Sequence, residues 1–319
     1  MEFDEIYKNI LCLFNKNRYN DYIESLSYIY NRFYNLLKIV DDELAEKVLS
    51  YSKNILTYIT NENSRNELFI EDIHLPTDII KYKDVFFRAR TVESAPKESY
   101  FKAQNMFHLS LRETNTQPGR YNEGGKTRLY LSKSCFSCFN EVSQTEGKSM
   151  IISLFNFNHT TPSQIVDFRL KSELAFNKLE LKIKRDYLLS LPYILACMFI
   201  NKGHLEYIFP QYVMSVLDYM DERLQKKHNG IINNVFTPYI GLSYTSVYFD
   251  DELIRRENNE HLYDNYVFLA KYGKENTGTS KLLSNMFTVT DPLRCQWNQK
   301  SDYKEIEENL KKKELFMIQ

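Results

Sequence analysis

The sequence has no excess of positive or negative charge, and its cysteines show no regular spacing. The 319 residues include 41 Lys+Arg and 42 Asp+Glu, which leave a formal net charge of −1. Such a chain has no overall positive field to attract nucleic acid or an anionic membrane, so we expect neither as a partner. The five cysteines are odd in number and irregularly spaced, which excludes a disulfide framework and favours a reducing compartment.

Long apolar runs and a secretory signal are also missing. The most apolar stretch, residues 187–200, contains Pro192 and is too short to span a bilayer. The first residues, MEFDEIYKN, carry acidic side chains where a secretory signal needs a basic segment. Because hydrophobic residues still make up 43% of the chain, it can bury a sizeable core. We therefore expect a soluble, cytoplasmic, globular protein.

Glycine and proline are absent from residues 1–60, where apolar side chains recur at helical spacing. This pattern predicts three antiparallel helices within an all-helical amino-terminal extension, residues 1–66. The acidic cluster Asp41-Asp42-Glu43 suits the start of the third helix. The extension carries no candidate catalytic group, and its aromatic stripe is either core or a partner surface.

The pattern after Pro76 mixes strands with helices and predicts a second domain of the α+β class. Short strand-like runs occur first, and a helical period returns at about 163–228. Further strand-like runs follow, and an amphipathic helix is predicted at 302–319, where Glu307 and Lys311 are spaced for an i,i+4 pair. The predicted strands lie at 84–90, 127–131, 235–248 and 266–269.

A turn-rich segment at 114–125 separates the first two strands. Three of the nine glycines of the chain fall within the seven residues 119–125. This concentration indicates a backbone that turns tightly or comes close to another group. The segment is not a phosphate-binding P-loop, because the GxxxxGK[ST] pattern is absent and no helix signal follows it directly.

A few charged and aromatic residues in and after this turn are candidates for chemistry. Arg120 lies in the turn, Tyr130 in the next strand and Glu141 beyond it, while Arg88 and Arg90 lie in the earlier strand. On spacing alone, ordinary surface charges and a buried tyrosine are the simpler interpretation, and spacing does not settle the question. Metal binding is not expected, because the single CxxC at 135–138 has no second pair and the six histidines are scattered.

Several segments of the chain resemble the RES domain, a family named for its Arg, Glu and Ser. The resemblance spans roughly 84–294 and is most specific in GRYNEGGKTRLYLSKSCFSCFNEV, residues 119–142. In that block the turn, the arginine, the strand tyrosine and the helix glutamate follow in order. The other similar segments are FFRAR (86–90), MFHLSLRE (106–113), YIFPQYV (207–213), GLSYTSV (241–247), NYVFLAKY (265–272) and LLSNMFTVTDPL (282–293).

The resemblance implies a fold related to ADP-ribosyltransferases, here with a helical insertion at about 163–228. It also implies an enzyme that breaks the nicotinamide–ribose bond of NAD⁺ with phosphate or water as acceptor, without a metal. Glu141, Arg120 and Tyr130 would be catalytic, and Arg88 and Ser246 would join Arg120 and Tyr130 in binding NAD⁺. Family members act as toxins restrained by an antitoxin. The resemblance is also compatible with a homodimer, for which the amino-terminal aromatic stripe is one candidate surface.

Two other functions are open at this point. The same site could transfer ADP-ribose to a protein, or the chain could be a binding module whose RES-like site is inactive. His108 and Arg112 lie in a family-like segment and could reach the substrate, although a histidine in such a place is more often a hydrogen-bonded structural residue.

Overall fold

The computed structural model describes most of the chain from residue 42 onward. The described residues are 42–60, 76–92, 98–108, 118–142, 149–171, 173–199, 207–227, 239–246, 248–270, 280–296, 300 and 302–317. The first two helices predicted for the amino-terminal extension lie outside these residues.

Helices and strands alternate irregularly along the described chain, as expected for the α+β class. The helices are α1 (Asp42–Thr60), α2 (Cys135–Glu141), α3 (Glu173–Asn177), α4 (Leu181–Phe199), α5 (Ile208–Lys227), α6 (Asp251–Glu257), α7 (Lys281–Met286) and α8 (Tyr303–Lys311). The strands are β1 (Thr77–Ile80), β2 (Val85–Val92), β3 (Arg128–Ser132), β4 (Ser149–Phe157), β5 (Ser163–Phe168), β6 (Gly241–Thr245), β7 (Asp264–Leu269), β8 (Phe287–Thr290), β9 (Leu293–Cys295) and β10 (Leu315–Met317). No helix among the described residues is long and apolar enough to cross a membrane.

The chain divides into two compact units. One contains the described residues before position 77 together with 168–216, and the other contains 77–167 and 217–317. In the first unit α1 packs against α4, where the rings of Tyr51 and Tyr193 lie 5.5 Å apart. Leu44, Val48 and Ile55 are buried on one stripe of α1, as their helical spacing predicts. Helix α4 continues through Pro192.

The second unit is built on one large mixed sheet, in which most strand pairs are antiparallel. Its strand order is β1-β5-β6-β7-β3-β2-β4-β8-β10, and β9 also pairs with β4. Alternate side chains point to opposite sides, so the sheet has a first face, which includes Phe86, and a second face, which includes Phe87. The first face packs against α7, and the second face packs against α2 and α8. Two separate apolar cores result.

The sheet opens between β2 and β3. Strand β2 pairs with β4 over eight positions, from Val85 to Val92, and β3 pairs with β7 over its whole length. Across the described residues, β2 and β3 pair only at Phe87 and Ser132. Beyond this pair the two strands diverge, so the carboxyl-terminal half of β2 and the amino-terminal half of β3 border a split in the sheet.

Several sequence predictions of secondary structure were confirmed. Helix α1 begins within the predicted acidic cluster, and the predicted strands at 84–90 and 127–131 correspond to β2 and β3. The strand-like runs at 235–248 and 266–269 contain β6 and most of β7.

Other predictions were wrong. Residues 163–168 form strand β5, although a helical period was assigned from about 163. The carboxyl-terminal helix ends at Lys311, and residues 315–317, predicted to be helical, form β10. Strand β4, the longest in the sheet, was missed. Its residues are buried on both faces apart from a half-buried Asn156, so it lacks the alternation that reveals a half-exposed strand.

A substitution at Gly241 tests how closely β6 pairs with β7. A Cβ atom at this position would lie 2.9 Å from Phe268 Cα and closer still to the Val267 carbonyl oxygen, both of them backbone atoms. Because backbone cannot rotate away, Gly241→Ala should lower the free energy of unfolding by about 1 to 3 kcal/mol in urea denaturation. Thr91→Ala, at an exposed position of β2, is the control and should change it by less than about 0.5 kcal/mol. Equal stabilities of the two variants would contradict the pairing.

Candidate functional site

The glycine-rich segment folds into a tight turn that presents Arg120. The Gly119 N–H donates to the Asn122 carbonyl at 3.0 Å, and the Asn122 N–H donates to the Gly119 carbonyl at 3.3 Å. Arg120 is at the tip of this turn and is half-buried. A Cβ atom on Gly119 would collide with the Asn122 side chain. The glycine is therefore required by a close approach, one of the two reasons that the sequence pattern suggested.

Tyr130 braces this turn from strand β3. Its hydroxyl donates to Asn122 Oδ1 at 2.8 Å and accepts from the Tyr121 N–H at 3.2 Å. The hydroxyl proton is thus already used within the protein, because a phenol has one proton to donate. Tyr130 therefore holds the peptide N–H that follows Arg120 and, beyond it, the side chain of Asn122.

Glu141 is the last residue of α2, and its side chain is exposed. Ser134 caps the amino-terminal end of the helix. Its hydroxyl accepts from the Ser137 N–H at 3.0 Å and donates to the Leu262 carbonyl at 2.7 Å. At the other end, Asn265 Nδ2 donates to Glu141 Oε1 at 2.9 Å. An exposed carboxylate is therefore held by an amide from the interior of the protein.

Asn265 belongs to a row of side chains on the second face of the sheet. The register pairs Tyr244 with Asn265, Asn265 with Ser132, and Ser132 with Phe87. Asn265 is 1% exposed, and its Oδ1 accepts from Ser132 Oγ at 2.6 Å and from Ser137 Oγ at 2.8 Å. The row connects β6, β7, β3 and β2 beneath α2.

Tyr244 is the residue around which the candidate groups converge. Burial raises its pKa well above the usual value, the Glu141 carboxylate and Tyr130 raise this pKa further, and the Arg120 guanidinium opposes them. Its ring lies 4.5 Å from that of the buried Tyr121. Three predicted site residues, Glu141, Tyr130 and Arg120, therefore act electrostatically on one buried tyrosine that the sequence analysis had not selected.

Arg88 lies on the first face of the sheet, opposite to Tyr130. Its Nη1 donates to the Met106 carbonyl at 3.0 Å, and Arg90 donates to the adjacent Phe107 carbonyl. Burial lowers the pKa of Arg88 well below its usual value, and the neighbouring Arg90 lowers it further, whereas Cys138 and Tyr130 act in the opposite direction. Arg88 is thus within electrostatic range of Tyr130 across the split between β2 and β3.

Ser246 follows β6 and is buried. Its N–H donates to the Tyr263 carbonyl at 2.9 Å, and its hydroxyl accepts from the Tyr248 N–H at 3.3 Å. Within the described part of the chain it makes no hydrogen bond to Arg88, Arg120, Tyr130 or Glu141. Its assignment to the site stays a prediction.

His108 is buried, and its Nε2 accepts from the Ser280 N–H at 2.8 Å. This bond is of the kind that a structural histidine makes. Arg112 lies outside the described residues. Over the described ranges, no group of three or more His, Cys, Asp or Glu side chains is arranged to hold a metal ion.

Cys138 occupies the point where the sheet opens. Burial raises its pKa to about 12, and hydrogen bonds with the Ser132 side chain and the Ala89 backbone oppose the shift. Cys135, Cys138, Cys197 and Cys295 are all buried. The CxxC pair therefore contributes apolar packing beneath Glu141, and the Cys138 thiol stays protonated at neutral pH.

The sequence analysis missed Asn265, Tyr244 and Asn122. Asn265 and Tyr244 stood within segments that resemble the RES family, but an amide and a tyrosine in buried strands gave no separate signal. Asn122 was part of the turn-rich segment. Comparisons of the chain with protein-family models, with curated proteins and with solved structures find no match.

Tyr130→Phe tests the bracing of the turn. Loss of the hydroxyl leaves Asn122 Oδ1 and the Tyr121 N–H without this partner, so the free energy of unfolding should fall by about 1 to 2 kcal/mol. Hydrogen exchange at the Tyr121 amide should become faster. The control is Tyr82→Phe, at a ring that is 48% exposed, which should change neither quantity. Unchanged exchange at Tyr121 would show that the hydroxyl does not hold the turn.

The raised pKa of the buried Cys138 thiol predicts that the free energy of unfolding depends on pH. Its pKa is raised from 9.0 to about 12 on folding, so its stabilising effect is complete below pH 9 and is lost as the pH rises from 9 towards 12. Between pH 7 and about pH 10.5 the parent should lose about 2 kcal/mol more unfolding free energy than Cys138→Ser, which cannot titrate in this range. Urea denaturation at both pH values measures the difference. Parallel losses in the two proteins would refute the buried thiol as the source.

Proposed function

We propose that the chain is a RES-like enzyme that cleaves the nicotinamide–ribose bond of NAD⁺, with phosphate or water as acceptor. The observation that carries this proposal is the exposed carboxylate of Glu141, which Asn265 holds at 2.9 Å and which lies within electrostatic range of Tyr244, as do Tyr130 and Arg120. These are the residue types at the positions that the resemblance selects. The ADP-ribosyltransferase-like assignment of the fold is part of the same proposal.

The chemistry needs a carboxylate in the place of Glu141. Departure of nicotinamide leaves positive charge on the ribose, as in the oxocarbenium-like transition state of glycoside hydrolysis. A fixed negative charge near this cation stabilises the transition state more than the ground state. Glu141 can also accept hydrogen bonds from the ribose hydroxyls or orient the acceptor. Its exposure gives a substrate access to the carboxylate.

The arginines supply the positive charge that a dinucleotide requires. Arg120 is at the tip of a turn fixed by Tyr130, and its planar guanidinium can bind phosphate oxygens through two hydrogen bonds. Arg88 is half-buried next to Arg90, and within the described ranges its guanidinium donates to a carbonyl and to no carboxylate. A partly buried cation that lacks a carboxylate partner favours an anionic ligand. Arg88 lies in β2, which borders the split in the sheet, and we propose that an extended ligand bound at Arg88 reaches Arg120 through this split.

Tyr130 has a narrower role in this proposal than the sequence suggested. Its hydroxyl proton is donated to Asn122, so it cannot also be donated to the substrate while the turn is intact. We assign Tyr130 to the support of Arg120 and to ring contacts with the ligand. Ser246 stays a candidate for a contact with ribose or amide, and no metal takes part.

Transfer of ADP-ribose to a protein is the second candidate function. It requires that a macromolecular acceptor can approach Glu141, and the exposed side chain of Glu141 meets this requirement. The two functions differ in their products. Cleavage with phosphate or water gives small molecules only, whereas transfer adds an ADP-ribose mass to a protein that mass spectrometry detects. An inactive binding module would release no nicotinamide in either case.

The cellular role follows from the proposed reaction. An enzyme that consumes NAD⁺ without restraint would act as a toxin, so an antitoxin protein is a proposed partner. A second copy of the chain, in a homodimer, is the other proposed partner.

Glu141→Gln tests the proposed function directly. The substitution keeps the size of the side chain but removes the charge that faces the developing cation, so the rate of nicotinamide release should fall by about 10² or more. The affinity for NAD⁺, measured by calorimetry, should change much less. Glu252→Gln, at an exposed glutamate of α6, is the matched control and should release nicotinamide at the parent rate. Full activity of Glu141→Gln would exclude this carboxylate from the reaction.

A further inference from the structure

We propose that Asn265 is a positioning residue that sets the direction of the Glu141 carboxylate. This inference rests on the proposed cleavage of NAD⁺ and adds to it a residue that lies 124 positions away from Glu141 in the sequence. Asn265 Nδ2 donates to Glu141 Oε1 at 2.9 Å, and the side chain of Asn265 is buried within the second face of the sheet.

The orientation of the Asn265 amide is fixed by two serine hydroxyls. Ser132 and Ser137 both donate to Oδ1, at 2.6 Å and 2.8 Å. An amide oxygen only accepts hydrogen bonds and an amide nitrogen only donates them. With the oxygen occupied by two donors, the NH₂ group has to point the other way, towards the carboxylate. The buried network therefore presents a donor to Glu141 and never an acceptor.

Asn265 also anchors helix α2 at two positions one turn apart. Ser137 and Glu141 are four residues apart, so they lie on the same side of the helix, and both bond to this one amide. Asn265 is itself held in β7 by pairing with Tyr244 on one side and Ser132 on the other. Glu141 is at the exposed end of a short helix. Its carboxylate is nevertheless held in place by a residue from the centre of the sheet.

This anchoring leaves half of the carboxylate available. Oε1 is held by Asn265, while Oε2 makes no hydrogen bond to any residue that the structure describes. A ribose hydroxyl or an acceptor can therefore bond to Oε2 without displacing the positioning bond. Precise placement of a reacting group is worth a large part of the catalytic rate, since a displacement of about 1 Å can cost about 10²-fold.

The test is Asn265→Asp, which keeps the shape of the side chain and the oxygen that accepts from the two serines. The substitution replaces the NH₂ donor by an oxygen, which repels the Glu141 carboxylate. We expect kcat for nicotinamide release to fall by about 10- to 100-fold while KM for NAD⁺ changes by less than about threefold. Asn156→Asp, at a half-buried asparagine of β4, is the control and should keep the parent kcat.

A double variant separates positioning from a general structural effect. In Glu141→Gln the new amide can donate to a carboxylate at position 265, so the pair Glu141→Gln with Asn265→Asp restores one hydrogen bond with its polarity reversed. The urea midpoint, lowered in Asn265→Asp, should return towards the parent value, while kcat should be no lower than in Glu141→Gln alone. An equal loss of kcat in both backgrounds would overturn the proposal, because a structural defect acts regardless of the group at 141.

Two further results keep the inference separate from the proposed function. If Asn265→Asp does not fold, Ser137→Ala removes one of the two donors that fix the amide, and it should lower kcat without changing KM. A parent-like kcat in Ser137→Ala would overturn the positioning role. A parent protein that releases no nicotinamide would overturn the proposed function, whereas the loss and recovery of the urea midpoint would still decide whether Asn265 holds Glu141.

Discussion

The single pairing of β2 with β3, at Phe87 and Ser132, is the constraint on which the candidate site depends. It joins the two parts of the sheet and lets them diverge beyond this point. The thiol of Cys138, on α2, fills the point of divergence, and Ser132 bonds to Asn265 on its other side. A continuous pairing of β2 with β3 would close the split, because the strands would then approach to hydrogen-bonding distance along their length.

Local signals in the sequence predicted much of the architecture, and non-local pairing decided the rest. The acidic cluster at Asp41-Asp42-Glu43 marked the start of α1 because charge and helix dipole act within one turn. Residues 149–157 gave no such signal, since a strand buried on both faces shows an apolar run without period. Residues 163–168 were misassigned for another reason: six residues of mixed polarity, SQIVDF, are too few to distinguish a helical from a strand period.

The candidate site was predictable in its parts but not in its connections. The glycine concentration indicated the turn, and the resemblance selected Glu141 and Tyr130, yet neither revealed what holds them. Asn265 reaches Glu141 because the register of β7 with β3 places it beneath α2, and register over more than a hundred residues cannot be read from one sequence. The use of the Tyr130 hydroxyl within the protein is a property of the folded turn for the same reason.

The two faces of the sheet contribute different properties to the proposed reaction. On the second face, the negative charge of Glu141 is exposed and held by a neutral buried network, so it can be directed without being neutralised by a cation. On the first face, Arg88 and Arg90 are held close together by backbone carbonyls despite their mutual repulsion. In the proposed reaction, the pyrophosphate of NAD⁺ would oppose the repulsion between these two guanidinium groups.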